Sequence, residues 1–585
     1  MRRSSQLLLV LLVGCTSAPV EPPAPRALPS PSLLSEHCAE VVGEPRVLEV
    51  AEGVWAAVGY DLANTILVQT ADGNVVIDAG MSPSRSAVSR AALLEKAPGP
   101  TAAIVYTHSH IDHVGGASVW MEEATQVWAT ERFEDHFFKQ YGVFLGAENA
   151  RGARQFGRDV PLEQLPCSGL GRKVDIPAAL DVGAVLPTHT FSGEHQLSIG
   201  GVTLTLVEAH GETDDQLFVW HEAQGVLMPG DNWYRAFPNL YTVRGARPRP
   251  VDTWIESLDA MRRRGARILL PSHTVPVVGE EQVETALRTY RDGIQWVRDS
   301  VVRSANAGRS VDMIAAEVRL PPHLAEVPAL AELYGQIDWS VRAIYANELG
   351  WFDSKAHRLY PTPPAERAAK MVALMGGSPA VIEAAAQAAA KGEHAWALEL
   401  LALVGDAAEE GAPDLSEATA QSLEALATQL ANTNGRGYLL QSAIERRAGA
   451  VERQGKPTLS DAFVRSIPLT QIFEIMASKL RPAEVMDRHD SVVFEFSDVS
   501  DRFVVTIRRG IAEVVRGESL PGTPAPLATV RTDARTWRRL ALGIETGKDA
   551  IADGRMEVEG SKLGLLGFMN RFDRGFGAGG PLELP

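Results

Sequence analysis

The sequence predicts three folded domains, of which the first is a layered α/β domain, the second is all-α and the third is α+β. Three observations support this prediction. Short apolar strands alternate with turn residues and one helix between residues 45 and 281. Helical periodicity follows from 282 to 455, and an amphipathic helix with alternating strands follows from 456 to 585.

Length and composition limit the classes of protein that need to be considered. A chain of 585 residues is too long for a single core. Hydrophobic and charged contents of 45% and 22% are typical of a globular protein. The net charge of −17, without a basic block, argues against nucleic acid or anionic lipid as the main partner. An anion-binding site in such a chain must be built locally, from metal ions and arginines.

The first fifteen residues have the pattern of a bacterial lipoprotein signal. Arg2 and Arg3 precede an apolar run over 7–13 that is too short to span a bilayer as a mature helix. Leu12-Val13-Gly14-Cys15 resembles a lipobox. We therefore expect a signal peptide over 1–14 and a lipid on Cys15 that tethers the chain to the bacterial cell envelope, on its periplasmic or extracellular face. A cleaved signal with an incidental cysteine is the alternative.

A proline-rich stretch follows the signal. Residues 15–44 contain six prolines, and this composition predicts an extended spacer. In the oxidising compartment that the signal implies, Cys38 and Cys167 could form a disulfide. The sequence leaves open whether these two cysteines approach each other.

The first domain begins with a regular series of short elements. Strands are predicted over 54–58, 65–69, 74–78 and 102–106, and a helix over 84–96. Asp72-Gly73 is a good hairpin turn. Strands followed by a helix and a further strand suit a layered α/β fold.

The strongest motif is Thr107-His108-Ser109-His110-Ile111-Asp112-His113, which directly follows the strand over 102–106. Three imidazoles and one carboxylate on a loop favour zinc or a similar borderline cation. His108 and His110 would hold one ion while Asp112 and His113 hold a neighbour, with a water shared between them. This pattern after an apolar strand predicts a metal site rather than a polar turn. Asp78, at an earlier strand end, either orients a metal-binding histidine or is an ordinary turn residue.

Two ions need more donors, and later apolar runs each end in a candidate. Residues 202–207 lead to Glu208-Ala209-His210-Gly211-Glu212, residues 225–230 lead to Asp231, and residues 268–272 lead to His273. As isolated residues these would usually be solvated loop side chains. Their repeated position after apolar runs makes them candidate ligands.

These motifs are similar to those of the metallo-β-lactamase superfamily, and several resemble its alkylsulfatase branch. Gly211-Glu212-Thr213 has a glutamate where most of the superfamily has a histidine, as in the alkylsulfatases; His210 is the competing candidate. Asp231 matches the bridging carboxylate of the superfamily, although alkylsulfatases usually have glutamate there. Ser272-His273-Thr274-Val275-Pro276-Val277 is a diverged form of their His-His-Trp-Pro-Val segment.

The resemblance implies a metallo-β-lactamase αββα sandwich over residues 45–281 with two Zn²⁺ ions. In the implied assignment one ion is bound by His108, His110 and Glu212, the other by Asp112, His113 and His273, and Asp231 bridges them. Asp112 and Asp231 are then the candidate catalytic residues.

Two further segments imply a sulfate site. Asn-Leu-Tyr-Thr-Val-Arg-Gly-Ala over 239–246 is close to the Asn-Leu-Tyr-Thr-Leu-Arg-Gly-Ala of the family, whose arginine binds sulfate, and Arg244 falls on it. Residues 146–153 resemble Gly-Asn-Ala-x-x-Arg-Arg-Ala, which makes Asn149 a candidate donor. Tyr345 is the third candidate. A surface arginine, a turn-capping asparagine and a core tyrosine are the alternatives.

The other two domains also carry resemblances. Residues 282–455, with Leu320-Pro321-Pro322, resemble the alkylsulfatase dimerisation region, which implies a homodimer. Residues 456–585 contain Asp-Gly-x-x-x-Val-x-Gly over 553–560 and resemble a sterol-carrier-protein-2 (SCP2)-like domain. The apolar residues of that domain either line a cavity for an alkyl chain or only pack its own core.

The combined expectation is a hydrolase that cleaves alkyl sulfate esters to an alcohol and inorganic sulfate, using a hydroxide that bridges two Zn²⁺ ions. Its partner would be a small alkyl sulfate and not nucleic acid, and only the N-terminal lipid would contact a membrane. One alternative is another metallo-β-lactamase-fold hydrolase, acting on a lactam, lactone, thioester or phosphoester. The other is a lipid-binding lipoprotein with a vestigial metal site.

Overall fold

The computed structural model describes residues 29–407, 413–449 and 458–573. The predicted signal peptide, Cys15 and the first half of the predicted spacer lie outside these residues. Among the helices that the structure describes, none is both long enough and apolar enough to cross a membrane.

The end of the predicted spacer is helical, which corrects the expectation of an extended chain up to residue 44. Helix α1 spans Pro31–His37, and a π-helical turn follows over Cys38–Val42. Proline at the start of α1 favours a helix because its ring presets the backbone angle that the first turn needs. Leu34 is buried against the first domain, and Cys38 forms a disulfide with Cys167.

The first domain contains two mixed β-sheets. The first sheet has seven strands in the order β1-β2-β3-β4-β5-β6-β8: β1 (Arg46–Ala51), β2 (Val54–Val58), β3 (Thr65–Thr70), β4 (Gly73–Ile77), β5 (Thr101–Val105), β6 (Gln126–Thr130) and β8 (His189–Phe191). Strand β7 (Asp181–Val182) lies outside it. Strands β1 to β4 pair antiparallel, and β4, β5, β6 and β8 pair parallel.

The second sheet has six strands and carries the later candidate ligands. Its order is β14-β13-β12-β11-β10-β9: β9 (Glu194–Ile199), β10 (Val202–Glu208), β11 (Leu217–His221), β12 (Val226–Met228), β13 (Ile268–Leu269) and β14 (Val277–Val278). Strand β13 covers only the start of the apolar run over 268–272, where Pro271 has no backbone N–H for a ladder bond.

Helices cover both outer faces of the sheet pair. Helices α2 (Pro83–Leu94) and α4 (Phe133–Gln140) pack on the first sheet, and α7 (Val251–Arg262) and α8 (Glu280–Asn306) pack on the second. The other helices of this region are α3 (Ile111–Val114), α5 (Leu145–Gln155) and α6 (Ile176–Ala179). Ile66 on β3 packs between the sheets with Leu206 of β10, whereas Leu67 faces the opposite core. Leu227 on β12 packs with Trp254 of α7 on the outer face of the second sheet. The αββα layering predicted from the sequence is confirmed.

The second domain is helical, as predicted. Its helices are α9 (Val311–Glu317), α10 (Pro322–Ala325), α11 (Ile337–Leu349), α12 (Pro364–Leu374), α13 (Ser378–Ala390), α14 (His394–Asp406), α15 (Ser416–Thr428) and α16 (Thr433–Ala448). Arg154 of α5 donates to Glu445 of α16 at 2.7 Å, which ties the second domain to the first.

The third domain is α+β, which also confirms the prediction. Strands β15 (Thr458–Leu459), β16 (His489–Phe496), β17 (Asp501–Arg508), β18 (Ile511–Arg516), β19 (Pro526–Thr532) and β20 (Met556–Gly560) alternate with helices α17 (Asp461–Ser466), α18 (Leu469–Ser478), α19 (Ala534–Ala541), α20 (Gly547–Ala552) and α21 (Lys562–Met569). Five strands form a sheet in the order β18-β17-β16-β19-β20. Strand β15 instead pairs with β7 of the first domain. Phe463 of α17 packs 5.9 Å from the ring of Phe137 on α4.

Candidate metal centre and anion site

The loop after β5 is packed too closely for any residue but glycine at its end. A Cβ atom on Gly115 would lie 1.9 Å from the carbonyl oxygen of Met81, and one on Gly116 would lie 1.7 Å from Oγ of Ser86. His110 precedes α3, and Asp112 and His113 lie within it. The turn of α3 therefore sends these side chains in different directions from a fixed backbone.

The structure brings six of the seven predicted metal ligands into two groups. The first group is His108, His110 and Asp231, and the second is Asp112, His113 and His273. In each group one ligand atom from every residue lies within 4.8 Å of the others.

Distances within and between the groups place Asp231 at their junction. In the first group, Nε2 of His108 lies 2.8 Å from Nδ1 of His110 and 3.8 Å from Oδ2 of Asp231. In the second, Oδ2 of Asp112 lies 3.4 Å from Nε2 of His113 and 3.5 Å from Nε2 of His273. Asp231 also approaches both histidines of the second group, at 3.4 and 3.1 Å. This is the place that a bridging carboxylate would occupy.

The chemistry of these donors fits bound cations. Nε2 of His113 and Oδ1 of Asp231 are buried and make no hydrogen bond among the described residues. Buried polar atoms are normally satisfied, so an exception needs a cause. Imidazole nitrogens and carboxylate oxygens are the ligand types that zinc and similar borderline cations accept.

The two groups differ in how their histidines hold protons. Burial lowers the pKa of His108 and of His110 well below its usual value. Burial also opposes the charged form of His113 and of His273, but the neighbouring carboxylates, Asp231 first and then Asp112, together outweigh it and raise the pKa of each. A cation at this position would replace the protons that the carboxylates attract, since metal ligands must be deprotonated.

Asp78 orients the candidate ligand His113, which is the first of the two roles that the sequence suggested for it. Its carboxylate contacts Nδ1 of His113 at 2.8 Å and accepts from the hydroxyls of Thr107 at 2.9 Å and Ser272 at 2.6 Å. One buried carboxylate thus connects the ligand loop after β5 with the loop that carries His273. Such an acceptor fixes the tautomer and the orientation of a metal-binding imidazole.

Glu212 lies in neither ligand group of the described residues, although the sequence assigned it to the ion of His108 and His110. Its buried carboxylate forms an ion pair with Arg249, and its backbone N–H donates to Oδ1 of Asn232 at 3.0 Å. Burial raises the pKa of Glu212 to about 7. The competing His210 is half-buried and contacts Glu208 at 2.8 Å. The hydrogen bond to Asn232 keeps Glu212 next to Asp231.

Arg244 connects the candidate anion site to the metal ligands. Its Nη2 lies 3.4 Å from Nε2 of His110, and its guanidinium forms an ion pair with Glu148 of α5. Its backbone N–H donates to Oε1 of Gln155 at 2.8 Å, so both ends of Arg244 are held by α5.

The two other predicted sulfate-binding residues lie in different surroundings. Asn149 follows Glu148 on α5 and is half-buried. Tyr345 lies on α11, buried in the core formed by α7, α8 and α11 with Trp254 and Val341. These surroundings favour the alternative that the sequence left open, in which Tyr345 is a core residue.

Several residues around the site were not identified from the sequence. Arg249, 5% exposed, carries a second guanidinium that, like Arg244, disfavours a charged His110. The hydroxyl of Tyr141 accepts the backbone N–H of Ile111 in the ligand loop at 3.0 Å. Three arginines within residues 244–249 of an acidic chain are a signal that could have pointed to Arg249.

A buried polar cluster supports the ligand loop from behind. Oγ of Ser109 contacts Nδ1 of His136 at 2.9 Å, and Oδ1 of Asp215 lies 3.5 Å from the same nitrogen. Burial and then the neighbouring Arg247 lower the pKa of His136 to about 4, while burial raises the pKa of Asp215 to about 7. Ser109 lies between the candidate ligands His108 and His110. Its side chain is therefore held by an uncharged histidine, His136.

Three family models match successive parts of the chain. Residues 58–273 match the metallo-beta-lactamase superfamily, residues 310–449 match alkyl sulfatase dimerisation, and residues 457–577 match the alkyl sulfatase C-terminal domain. The first match ends at His273, the last of the candidate ligands.

Characterised relatives are similar over nearly their whole length. A linear primary-alkylsulfatase of Pseudomonas sp. is 30% identical over 528 residues, which cover 87% of this chain and 98% of the relative. An (R)-specific secondary-alkylsulfatase of Pseudomonas sp. is 28% identical, with 94% of this chain and 84% of the relative covered. The solved structure of a stereoselective inverting sec-alkylsulfatase from Pseudomonas sp. superposes with a TM-score of 0.83 at 26% identity, covering 92% of this chain and 86% of that chain.

Proposed function

This chain belongs to the alkylsulfatase family of metallo-β-lactamase-fold hydrolases, and from that premise we propose that it cleaves alkyl sulfate esters to an alcohol and inorganic sulfate with two bound Zn²⁺ ions. One observation carries the proposal. Two groups of metal-ligand atoms meet at Asp231, and the Arg244 guanidinium lies 3.4 Å from His110 in the first group. The site thus combines cation-binding donors with a fixed cationic side chain.

The chain's own residues would hold two ions. His108 and His110 serve the first ion, Asp112, His113 and His273 serve the second, and Asp231 lies between them. Glu212, the seventh predicted ligand, would have to leave its ion pair with Arg249 to bind the first ion. When bound, two zinc ions supply a hydroxide nucleophile at neutral pH and offset negative charge that develops on the ester.

Arg244 is proposed to bind the sulfate group. A guanidinium presents a planar fork of donors that matches the oxygens of a sulfate, and it stays charged at any working pH. The ion pair with Glu148 and the bond to Gln155 hold this fork in place before substrate arrives. Donors fixed in advance stabilise charge in the transition state without having to reorganise.

Asp78 and Tyr141 are proposed to keep the ligand loop in its working geometry. Asp78 orients His113 through Nδ1, and Tyr141 accepts a hydrogen bond from the backbone of Ile111. Neither side chain needs to touch the substrate for this role. Small displacements of ligands are costly to catalysis because productive geometry is narrow.

We also propose that the mature protein is a homodimer tethered to the cell envelope by a lipid on Cys15. The match of residues 310–449 to the alkyl sulfatase dimerisation domain supports the dimer. The lipobox-like sequence before Cys15 supports the tether. The Cys38–Cys167 disulfide supports an oxidising compartment, since such bonds rarely persist in the cytosol.

The experiment that tests the proposed function compares three substrate classes on one preparation. The zinc-loaded protein without its signal peptide is assayed side by side on dodecyl sulfate, a β-lactam and a phosphodiester. Release of inorganic sulfate from dodecyl sulfate, with slow or no turnover of the other two, is the expected result. Preferred turnover of the lactam or the phosphodiester would contradict it. Hydrolysis that continues after removal of all metal would contradict the proposal that the reaction depends on bound metal.

A further inference from the structure

The segment around Cys167 lies between the N-terminal helix and the metal-ligand loop. Cys167 is buried, and its disulfide to Cys38 fixes the end of α1 on the first domain, with the two Cα atoms 5.7 Å apart. His37, the last residue of α1, contacts the carbonyl oxygen of Gly169 at 2.7 Å. The N-terminal helix is therefore attached to residues 167–169 by one covalent bond and one buried hydrogen bond.

Residues 168–171 form a tight turn with little room to move. The Ser168 hydroxyl accepts the backbone N–H groups of Leu170 and Gly171, at 3.3 and 3.2 Å. A Cβ atom on Gly169, whose φ is +83°, would lie 2.9 Å from Oγ1 of Thr433, at the start of α16. Contacts with the N-terminal helix and with the second domain thus hold the turn from two sides.

The other side of the turn contacts the backbone that carries His273. The carbonyl oxygen of Leu170 accepts the N–H of Thr274 at 3.1 Å, and the N–H of Arg172 donates to the carbonyl oxygen of Asp61 at 3.0 Å. The neighbouring carbonyl of Leu62 contacts Nδ1 of His273 itself at 2.9 Å. The turn thus supports both the residue after His273 and the strand-end segment that orients its imidazole.

Thr274 needs that support because its backbone is strained. Its φ is +66°, a left-handed conformation that β-branched residues rarely adopt. Such a conformation is unfavourable and persists only where the surroundings hold it. Here it turns the chain directly after His273, and the hydrogen bond to Leu170 is one of the contacts that hold it.

From these contacts we propose that the Cys38–Cys167 disulfide is a positioning element for His273, one that keeps this ligand aimed at its metal. The inference rests on the proposed metal site. Without the disulfide, α1 and residues 167–171 are held only by non-covalent contacts, and the support of Thr274 weakens. The ion bound by Asp112, His113 and His273 then dissociates faster, whereas the ion at His108 and His110 is unaffected.

The test measures metal loss rather than activity. Wild-type holoenzyme and the Cys38→Ser/Cys167→Ser double variant are mixed with excess chelator, and the loss of each of the two ions is followed in time. Removing a group that orients a metal ligand typically costs about 10- to 100-fold in metal affinity, so we expect one ion to leave the variant at least about tenfold faster. The second ion should leave both proteins at the same rate.

A matched control separates positioning from general stability. Val404→Ala removes buried volume from a core in the second domain that contains none of the turn residues. It should lower the melting temperature without accelerating the loss of either ion. If the double variant melts earlier but releases both ions at the wild-type rates, the disulfide only stabilises the fold and the inference is wrong.

Reduction of the folded protein provides a second route if the double variant does not fold. Cys38 is only partly buried, so a phosphine reductant can reach the bond in wild-type holoenzyme, and thiol titration reports its cleavage. Reduced protein should show the same selective loss of one ion, and equal rates before and after reduction would overturn the inference. A wild-type protein that binds no metal would refute the proposed function as well, so the two failures are distinguishable.

Discussion

Nη2 of Arg244 lies 3.4 Å from Nε2 of His110, while Nδ1 of the same imidazole faces His108. The two nitrogens of one ring therefore point to the two parts of the site, one to the first metal-ligand group and the other to the guanidinium. An oxyanion bound to Arg244 would consequently lie beside the metal-ligand atoms. The proposed function requires this arrangement, because the sulfate group must lie next to the metal ions.

Substitution of Arg244 by alanine should weaken alkyl sulfate turnover without removing metal. Loss of one fixed donor to a developing anion typically costs about 10²- to 10³-fold in rate, and we expect a fall of this size in kcat/KM, with KM raised steeply. Steady-state kinetics on dodecyl sulfate and metal analysis of the same sample measure both effects. Arg247→Ala, at a partly exposed arginine that pairs with Asp135 and Asp214, is the matched control and should keep near wild-type kinetics. Unchanged kinetics in the Arg244 variant would remove this residue from the site.

Replacing Asp112 by alanine should abolish hydrolysis and reduce bound metal towards one ion per chain. Asp112 lies 3.4 and 3.5 Å from the two histidines of the second group, and its loss leaves that group with its histidines and the shared Asp231. Metal analysis after dialysis checks the stoichiometry. Asp135→Ala, an exposed carboxylate on α4, is the control and should retain both ions. Retention of two ions by the Asp112 variant would refute its role as a ligand.

The variant Gly115→Ala should destabilise the ligand loop. The added Cβ would lie 1.9 Å from a backbone oxygen of Met81, so the chain must shift. Overpacking of this kind typically costs about 1–3 kcal/mol, and the shift would also displace His113. Thermal unfolding and metal content measure the two effects. Gly146→Ala has open space around the added atom and should behave like wild type; equal losses in both variants would argue against a specific close contact.

His136 should make the protein lose stability as the pH falls. Its pKa is about 4 in the folded state, below the ordinary value of 6.5, because burial disfavours the charged ring. Between pH 6.5 and 4 the unfolded chain therefore binds a proton that the folded chain does not, at a cost that approaches about 3 kcal/mol by pH 4. Melting temperatures of wild type and His136→Gln across this range check the prediction.

The His136→Gln variant should lose less stability than wild type over that acid range, and the two should converge in pH dependence above pH 7. The exposed His189→Gln variant is the control and should follow wild type throughout. A His136→Gln profile parallel to that of wild type would show that another group is responsible.

Local patterns predicted much of the fold. Strand β2 has the bounds that alternation indicated, and the HxHxDH loop follows β5 as expected. The strand and the loop could be predicted because both are determined by residues close together in the sequence, whose periodicity and turn residues can be read directly. The amphipathic stretch predicted in the third domain is divided by Pro468 into α17 and α18, because a proline disfavours the helical conformation of the residue before it.

Pairings between distant residues could not be predicted in the same way. The ion pair of Glu212 with Arg249 and the disulfide of Cys38 with Cys167 depend on how separate loops meet in the folded chain. The family resemblance assigned Glu212 to a metal, and the sequence showed its carboxylate but not the arginine that pairs with it. Asp78 is the opposite case. Its position at a strand end had suggested that it orients a metal-binding histidine or is a turn residue, and it contacts His113.

The candidate ligands run from His108 to His273, on loops contributed by both sheets. No short segment of the chain contains a full set, so under the proposed function an emerging polypeptide would hold both ions only after almost the entire first domain has been synthesised and has collapsed. Once captured, the ions favour the native state alone, and the thermal resistance of the protein should rise with the free metal concentration of its surroundings. A shortage of the metal would then shorten the lifetime of the folded protein as well as abolish its activity.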